Sequence, residues 1–208
     1  MNKIEKAILF ASKAHAGQYR KGTGRPYILH PIETMLIILR LTDDEDVLAA
    51  AVLHDTVENT SVTIGRIEKE FGSRVAGLVA SVSEDKRKKL PAEATWRARK
   101  WEMIFRLRKA DYETKLLFLG NNLSNLRDLK RDYDKVGDEL WERFNKKDKS
   151  AQAWYYRECL RVLEETFEYE YYEETEEYAE LADSIFGWER GRIIRILSTE
   201  ISKAGDAR

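Results

Sequence analysis

The sequence predicts an all-α protein, and three observations carry that expectation. Apolar residues recur every three to four positions through most of the chain, the spacing that lines one helical face. No five-residue alternation of apolar and polar residues marks a strand. Proline occurs only as Pro26, Pro31 and Pro91, which leaves long stretches free to stay helical.

The elements follow in order. Ile4, Ala7, Ile8 and Ala11 outline a first helix. A structured loop is expected over 26–31. A second helix starts near Pro31, a favoured first-turn residue, and runs through Met35, Leu36, Ile38 and Leu39. Thr42-Asp43-Asp44-Glu45 is a start signal, with acids at the positive end of the dipole. Val47 to Val57 then reads as one nearly all-apolar helix, expected to be the most buried. Thr63 and Phe71-Gly72 bound a short helix, and Val75–Val82 forms another. Two longer helices are expected over 92–109 and 112–130. Residues 134–203 hold three more candidates, separated near 146–149 and near Phe186-Gly187.

Composition narrows the function classes. The 208 residues carry 36 Lys+Arg against 37 Asp+Glu, so charge gives no global case for nucleic acid or a membrane as partner. One cysteine makes no internal disulfide, and no charged-then-apolar leader opens the chain; both point to a cytoplasmic setting. No apolar run approaches the roughly 20 residues of a membrane span. A homo-oligomer stays open. Residues 86–115 hold eleven basic residues against four acidic ones, and 164–180 hold nine Glu with no basic residue. Both blocks read as solvated faces, or the basic one borders a phosphate-rich ligand. Arg97, Arg99 and Lys100 carry the same two readings.

His54-Asp55 lies inside the apolar segment. Burying an imidazole and a carboxylate there costs several kcal/mol unless they are paired or bind a metal. Successive helical side chains diverge by about 100°, so both reach one ion only at a helix edge. Glu58, four residues after His54, shares their face. His30 sits in Tyr27-Ile28-Leu29-His30-Pro31. Two imidazoles and a carboxylate suit a borderline divalent ion, with Glu58 free to take a proton from its water. The bland alternative is a histidine satisfied inside a core.

Three segments in order resemble the HD-domain hydrolases of the RelA/SpoT type: Ala14–Lys21 (AHAGQYRK), Pro26–Pro31 (PYILHP) and Leu53–Thr60 (LHDTVENT). Leu119–Asp128 (LGNNLSNLRD) looks like the last motif of that family, so the likeness covers roughly residues 3–130. Trp141–Phe144 and Trp154–Arg157 look like features of a small-protein subgroup.

The resemblance implies an HD-domain helical bundle over 1–132 with a helical extension over 133–208 packed on it. It implies a metal-dependent phosphohydrolase, one Mn ion activating water against the 3′-pyrophosphate of a (p)ppGpp-like nucleotide. His30, His54, Asp55 and Asn121 fall on metal-ligand positions, Glu58 and Asn59 on the catalytic pair, and Arg20, Lys21 and Asn125 on substrate-binding positions. The chain departs from the pattern at Asn121 and Asn59, where the family has Asp, and at Asn122, where Lys is usual. An amide at 121 removes a formal charge beside the ion, and Asn59 cannot act as a base. Weakened metal binding and slow hydrolysis follow, and the alternative is a degenerate HD domain that binds a nucleotide without turnover.

The remaining residues read as structural. His15 caps or packs the end of the first helix; Cys159 is buried and inert. The five tryptophans belong to the core or to helix interfaces. Gly22-Thr23-Gly24 lacks the Gly-Lys-Ser/Thr ending of a phosphate loop and instead lets the chain turn, so that Arg20, Lys21 and His30 face one cleft. The stretch 168–178 reads as an exposed or subunit-facing helix.

Overall fold

The computed structural model describes residues 1–87, 89–167 and 171–188. Among these are ten α-helices, one 3-10 helix and no strand, with a single isolated bridge between Tyr19 and Pro26. No described helix is long and apolar enough to cross a membrane.

The helices begin where the capping chemistry puts them. Asn2 caps α1 (Lys3–Ala14) in a reciprocal box with Glu5. Asp44 accepts from the backbone N–H groups of Asp46 and Val47 at the start of α3 (Glu45–Leu53). Thr63 caps α5 (Ile64–Phe71), which ends at Gly72 with φ +93°. Between them lie α2 (Leu29–Ile38) and the single turn α4 (Thr56–Asn59). There follow α6 (Ser73–Val82), α7 (Ala92–Lys109), α8 (Tyr112–Val136), the 3-10 helix Gly137–Arg143, α9 (Lys149–Phe167) and α10 (Tyr172–Phe186).

Helix α3 is the axis of the core. Every residue from Val47 to Leu53 is buried, and α1, α2, α6 and α8 pack around it. A fully buried Leu48 or Leu53 contributes about 1.5–3 kcal/mol each. One expectation fails here. The apolar helix does not run to Val57: it stops at Leu53, the Thr56 hydroxyl bonds back to the Leu53 carbonyl, and α4 follows. His54-Asp55 form the break, with Asp55 at φ −90°, ψ −9°. The apolar pattern continues across the break, so the hydrophobic signal did not reveal it.

Helix α8 runs to Val136, past the expected end at 130 and past residue 132. It packs on α2, α9 and α10. Gly120 permits the approach to α2: a Cβ there would lie 2.6 Å from Ile38 Cγ1 and 3.2 Å from the Thr34 carbonyl oxygen. Gly120→Ala gains about 1 kcal/mol of helix propensity but meets an overpacking cost of about 1–3 kcal/mol. A net fall in the urea midpoint is expected.

In the C-terminal part, the first candidate helix is the 3-10 turn, and residues 149–186 hold two helices rather than one. The third candidate, beyond Gly187, lies outside the described residues, as does part of 168–178. The described part of that stretch corrects its exposed reading. Glu174 and Thr175 are buried, and Tyr178 is fully enclosed and donates to the Tyr156 carbonyl. Helix α10 packs on α8 and α9, so of its acidic residues Glu173 and Glu180 are exposed while Glu174 is buried. Trp96 and Trp141 are core residues, while Trp101 is 45% exposed. Cys159 is buried, and burial pushes its thiol up to about 12.

Candidate active site

Three donors converge from two segments. His30 comes from the first turn of α2, and His54 and Asp55 from the break after α3. One ligand atom from each lies within 4.8 Å of the other two. Asp55 Oδ2 stands 3.5 Å from both His30 Nε2 and His54 Nε2. His54 (φ −53°, ψ −37°) and Asp55 (φ −90°, ψ −9°) both keep right-handed helical dihedrals, and the two side chains reach one point because they lie at the end of α3.

Both tautomers follow from the hydrogen bonds. His54 Nδ1 lies 2.7 Å from the Ala51 carbonyl, which only accepts, so Nδ1 carries the proton. His30 Nδ1 lies 2.9 Å from Ser124 Oγ. That hydroxyl donates its one proton to Glu33 Oε2 at 2.8 Å, so it accepts from His30. Each imidazole therefore turns a bare Nε2 lone pair toward Asp55. His54 Nε2 is buried with no hydrogen-bond partner in the protein, a costly arrangement that a cation would satisfy.

Electrostatics agree. Burial first, then the Arg20 charge, push the His30 imidazole well below its ordinary value, so it stays neutral. Burial alone would raise Asp55. His54, His30, the Tyr27 hydroxyl and Arg20 outweigh it and hold that carboxyl well below the usual carboxylate range. One carboxylate and two imidazoles with converging Nε2 atoms fit a borderline divalent ion.

His30 and Asp55 of the cluster line a cleft of about 360 Å³. Asn121 lines it and lies beside His30; its Oδ1 accepts from Asn125 Nδ2 at 2.8 Å. Arg20 Nε donates to Asp128 Oδ2 at 2.8 Å, and another guanidinium nitrogen donates to Asn125 Oδ1 at 2.8 Å. Lys21 is exposed at the rim. Glu58 faces the same cleft, its carboxylate accepting the Glu84 backbone N–H at 2.9 Å and pairing with Lys86.

The HD domain profile matches residues 7–149. The chain belongs to the HD domain family. Among the relatives of this HD-domain protein is the guanosine-3′,5′-bis(diphosphate) 3′-pyrophosphohydrolase of Aquifex aeolicus (strain VF5), 36% identical over 126 residues, 61% of this chain and 18% of that protein. The enzyme of the same name from Danio rerio is 37% identical over 127 residues, 60% of this chain and 67% of that protein. A metazoan SpoT orthologue that hydrolyses ppGpp matches in structure with a TM-score of 0.58 and 30% identity, over 81% of this chain and 95% of that chain. A Listeria monocytogenes EGD-e protein matches with a TM-score of 0.63 and 33% identity, over 79% and 98%. The match spans less than a fifth of the long relatives, 18% in Aquifex aeolicus and 16% in Synechocystis.

The HD-domain protein also holds site residues the sequence did not single out. Tyr27 donates to Asp55 Oδ2 at 2.6 Å, and Asn59 Nδ2 donates to the Tyr27 hydroxyl at 3.0 Å. Asn59 thus holds the residue that holds Asp55. His15 caps α1 and stacks on Tyr27 at 4.8 Å, as a packing residue. Glu33 sits three residues after His30, a spacing that places it on the same face and that could have flagged it. Nothing in the sequence marked Glu84. It pairs with buried Arg99 and, at 2.7 Å, with Lys100, whose ammonium burial pushes down to about 8. Arg99 and Lys100 therefore border the cleft, whereas Arg97 is exposed and stacks on Trp154.

Residues 133–188 supply the opposite wall. Leu140, Arg143, Phe144, Gln152, Tyr155 and Tyr156 line the cleft. Arg143 crosses Gly22, whose φ of +70° and missing Cβ let the side chain pass, and donates to Asp132 Oδ2 at 3.2 Å.

Proposed function

We propose that this chain is a metal-dependent phosphohydrolase that cleaves the 3′-pyrophosphate of a (p)ppGpp-like nucleotide. One observation carries the reading: two imidazoles and a carboxylate converge, one imidazole nitrogen buried and unpaired, beside a basic-rimmed cleft. The names and activities of the relatives that match this domain favour the same substrate class.

His30, His54 and Asp55 hold the ion, with Asn121 Oδ1 as a neutral fourth donor, and Mn is the metal proposed. A divalent ion in this place supplies Lewis acidity, lowering the pKa of its water and drawing charge from a phosphoryl oxygen. Glu58, fixed by Lys86 and the Glu84 N–H, takes the proton of the attacking water. Asn59 has no basic atom, so its part in the catalytic pair is to fix Tyr27 and, through it, Asp55. Asp128 and Asn125 splint Arg20, whose remaining N–H groups meet the anionic substrate without loss of side-chain entropy at binding. Lys21 grips it from the rim, and Asn125 contacts the ribose or base region. Residues 1–132 carry these groups, and the extension over 133–208 contributes to the cleft through Leu140 to Tyr156. The setting proposed is cytoplasmic.

Outer-shell bonds to metal ligands are each worth about 10- to 100-fold in metal affinity. Tyr27→Phe is expected to weaken Mn²⁺ binding by about that range in calorimetric titration, while the melting temperature of the metal-free protein changes little.

A second reading, nucleotide binding without turnover, draws on the neutral amides at 121 and 59. One experiment separates the two. The protein is stripped with EDTA, titrated with Mn²⁺, and assayed for pyrophosphate release from ppGpp. Metal-restored release supports the hydrolase. Saturable ppGpp binding with no release at any Mn²⁺ concentration establishes the receptor.

A further inference from the structure

We infer that Glu33 and Ser124 are positioning residues for His30, and that Arg127 and Glu177 extend this path to helix α10, so that the C-terminal extension acts on the metal centre. The inference rests on the metal-site reading above and deepens it.

The two imidazoles of the cluster are held in different ways. His54 is oriented by a carbonyl of its own helix, a bond no side-chain substitution can remove. His30 is oriented by a chain of side chains from three helices. Its Nδ1 lies 2.9 Å from Ser124 Oγ on α8, and that hydroxyl donates to Glu33 Oε2 on α2 at 2.8 Å. Glu33 Oε1 lies 3.5 Å from an Arg127 nitrogen. Arg127 in turn makes a two-pronged pair with Glu177 of α10, at 2.6 and 2.7 Å.

The direction of donation is what matters. Ser124 has one proton, and an ionised Glu33 can only accept it. The hydroxyl is left with lone pairs alone toward His30, which forces the imidazole proton onto Nδ1 and bares Nε2 for the ion. A carboxylate behind the donor also raises the basicity of the ligating nitrogen. Ser124 is fully buried, so water does not substitute for this partner. Arg127 shares its charge between Glu33 and Glu177. Loss of Glu177 frees Arg127 to close on Glu33, which draws the carboxylate away from Ser124. The acidic α10 thus reaches the cleft through a defined set of bonds rather than by packing alone.

The test uses the full chain. In metal-free, ¹⁵N-histidine-labelled protein, long-range proton–nitrogen spectra read the tautomer of His30. Wild type is expected as Nδ1–H, and Glu33→Gln as a mixture of the two tautomers. In Mn²⁺ titrations, Ser124→Ala and Glu33→Gln are expected to weaken binding by about 10- to 100-fold. Glu177→Gln gives a smaller loss of the same sign. Glu173→Gln, on the same helix as Glu177, alters only an exposed pair with Arg40 and leaves affinity unchanged. Glu33 and Glu177 are half-buried at most, so their variants keep the test open even where Ser124→Ala fails to fold. A wild-type His30 found as Nε2–H overturns the inference, as does Mn²⁺ affinity within twofold of wild type in Glu33→Gln. Wild type that binds no Mn²⁺ overturns the hydrolase reading instead, and the tautomer spectra then decide the positioning claim by themselves.

Discussion

Replacing Asp55 with alanine is expected to abolish both Mn²⁺ binding at micromolar concentrations and ppGpp hydrolysis. Asp55 is the one anion of the donor cluster and stands 3.5 Å from both imidazole nitrogens. A unit-charge interaction at about 4 Å is worth about 4 kcal/mol at an effective dielectric of 20. At about 1.4 kcal/mol per decade, affinity falls about a thousandfold. Calorimetric titration with Mn²⁺ measures the loss, and pyrophosphate release measures the consequence. The fold should survive. The substitution removes an accepting carboxylate between α3 and α4, and the seven buried residues of α3 stay packed. Unchanged Mn²⁺ affinity in a folded Asp55→Ala protein would sink the proposed centre.

Asn121→Asp is expected to act in the opposite direction. The side chain lies beside His30 and lines the cleft, and its oxygen already accepts from Asn125. A carboxylate keeps that bond and loses only the amide N–H groups. It brings a second formal charge to a cluster that has one. The Coulomb gain is about 4 kcal/mol per unit of cation charge, and desolvation of the new charge opposes it. A tightening of at least about tenfold in Mn²⁺ affinity is the expected net result. Hydrolysis at limiting Mn²⁺ rises with it. Unaltered affinity would mean that position 121 does not face the ion, and the donor set would have to be completed from elsewhere in the cleft.

Much of this was legible before any coordinates. The helical class followed from apolar spacing, and the caps at Asp44 and Thr63 from their side-chain chemistry. His54-Asp55 stood out because a buried ion-forming pair in an apolar run demands a partner. The family resemblance rested on four motifs in order, and the profile match to residues 7–149 bears it out. The helix break at 54–55 was invisible, because hydrophobic patterning reports burial and not the dihedral angle at which a helix stops. Glu84, which gathers Arg99 and Lys100 at the cleft, was invisible for another reason. Its partners lie fifteen or sixteen positions away, and no local spacing links residues that far apart.

The chain by itself determined which groups are available: two imidazoles, a carboxylate, an amide where the family has an acid, and helices to carry them. Periodicity and motif order encode those facts locally. Only the tertiary structure decided which nitrogen of His30 turns toward Asp55, that Asn59 serves Tyr27, and that residues past 133 line the cleft. Hydrogen-bond direction at His30 and the identity of the wall depend on contacts between segments far apart in the sequence, Ser124 lying 94 positions from His30 and Asn59 lying 32 from Tyr27. Such contacts exist only once α2, α8 and α9 have packed together.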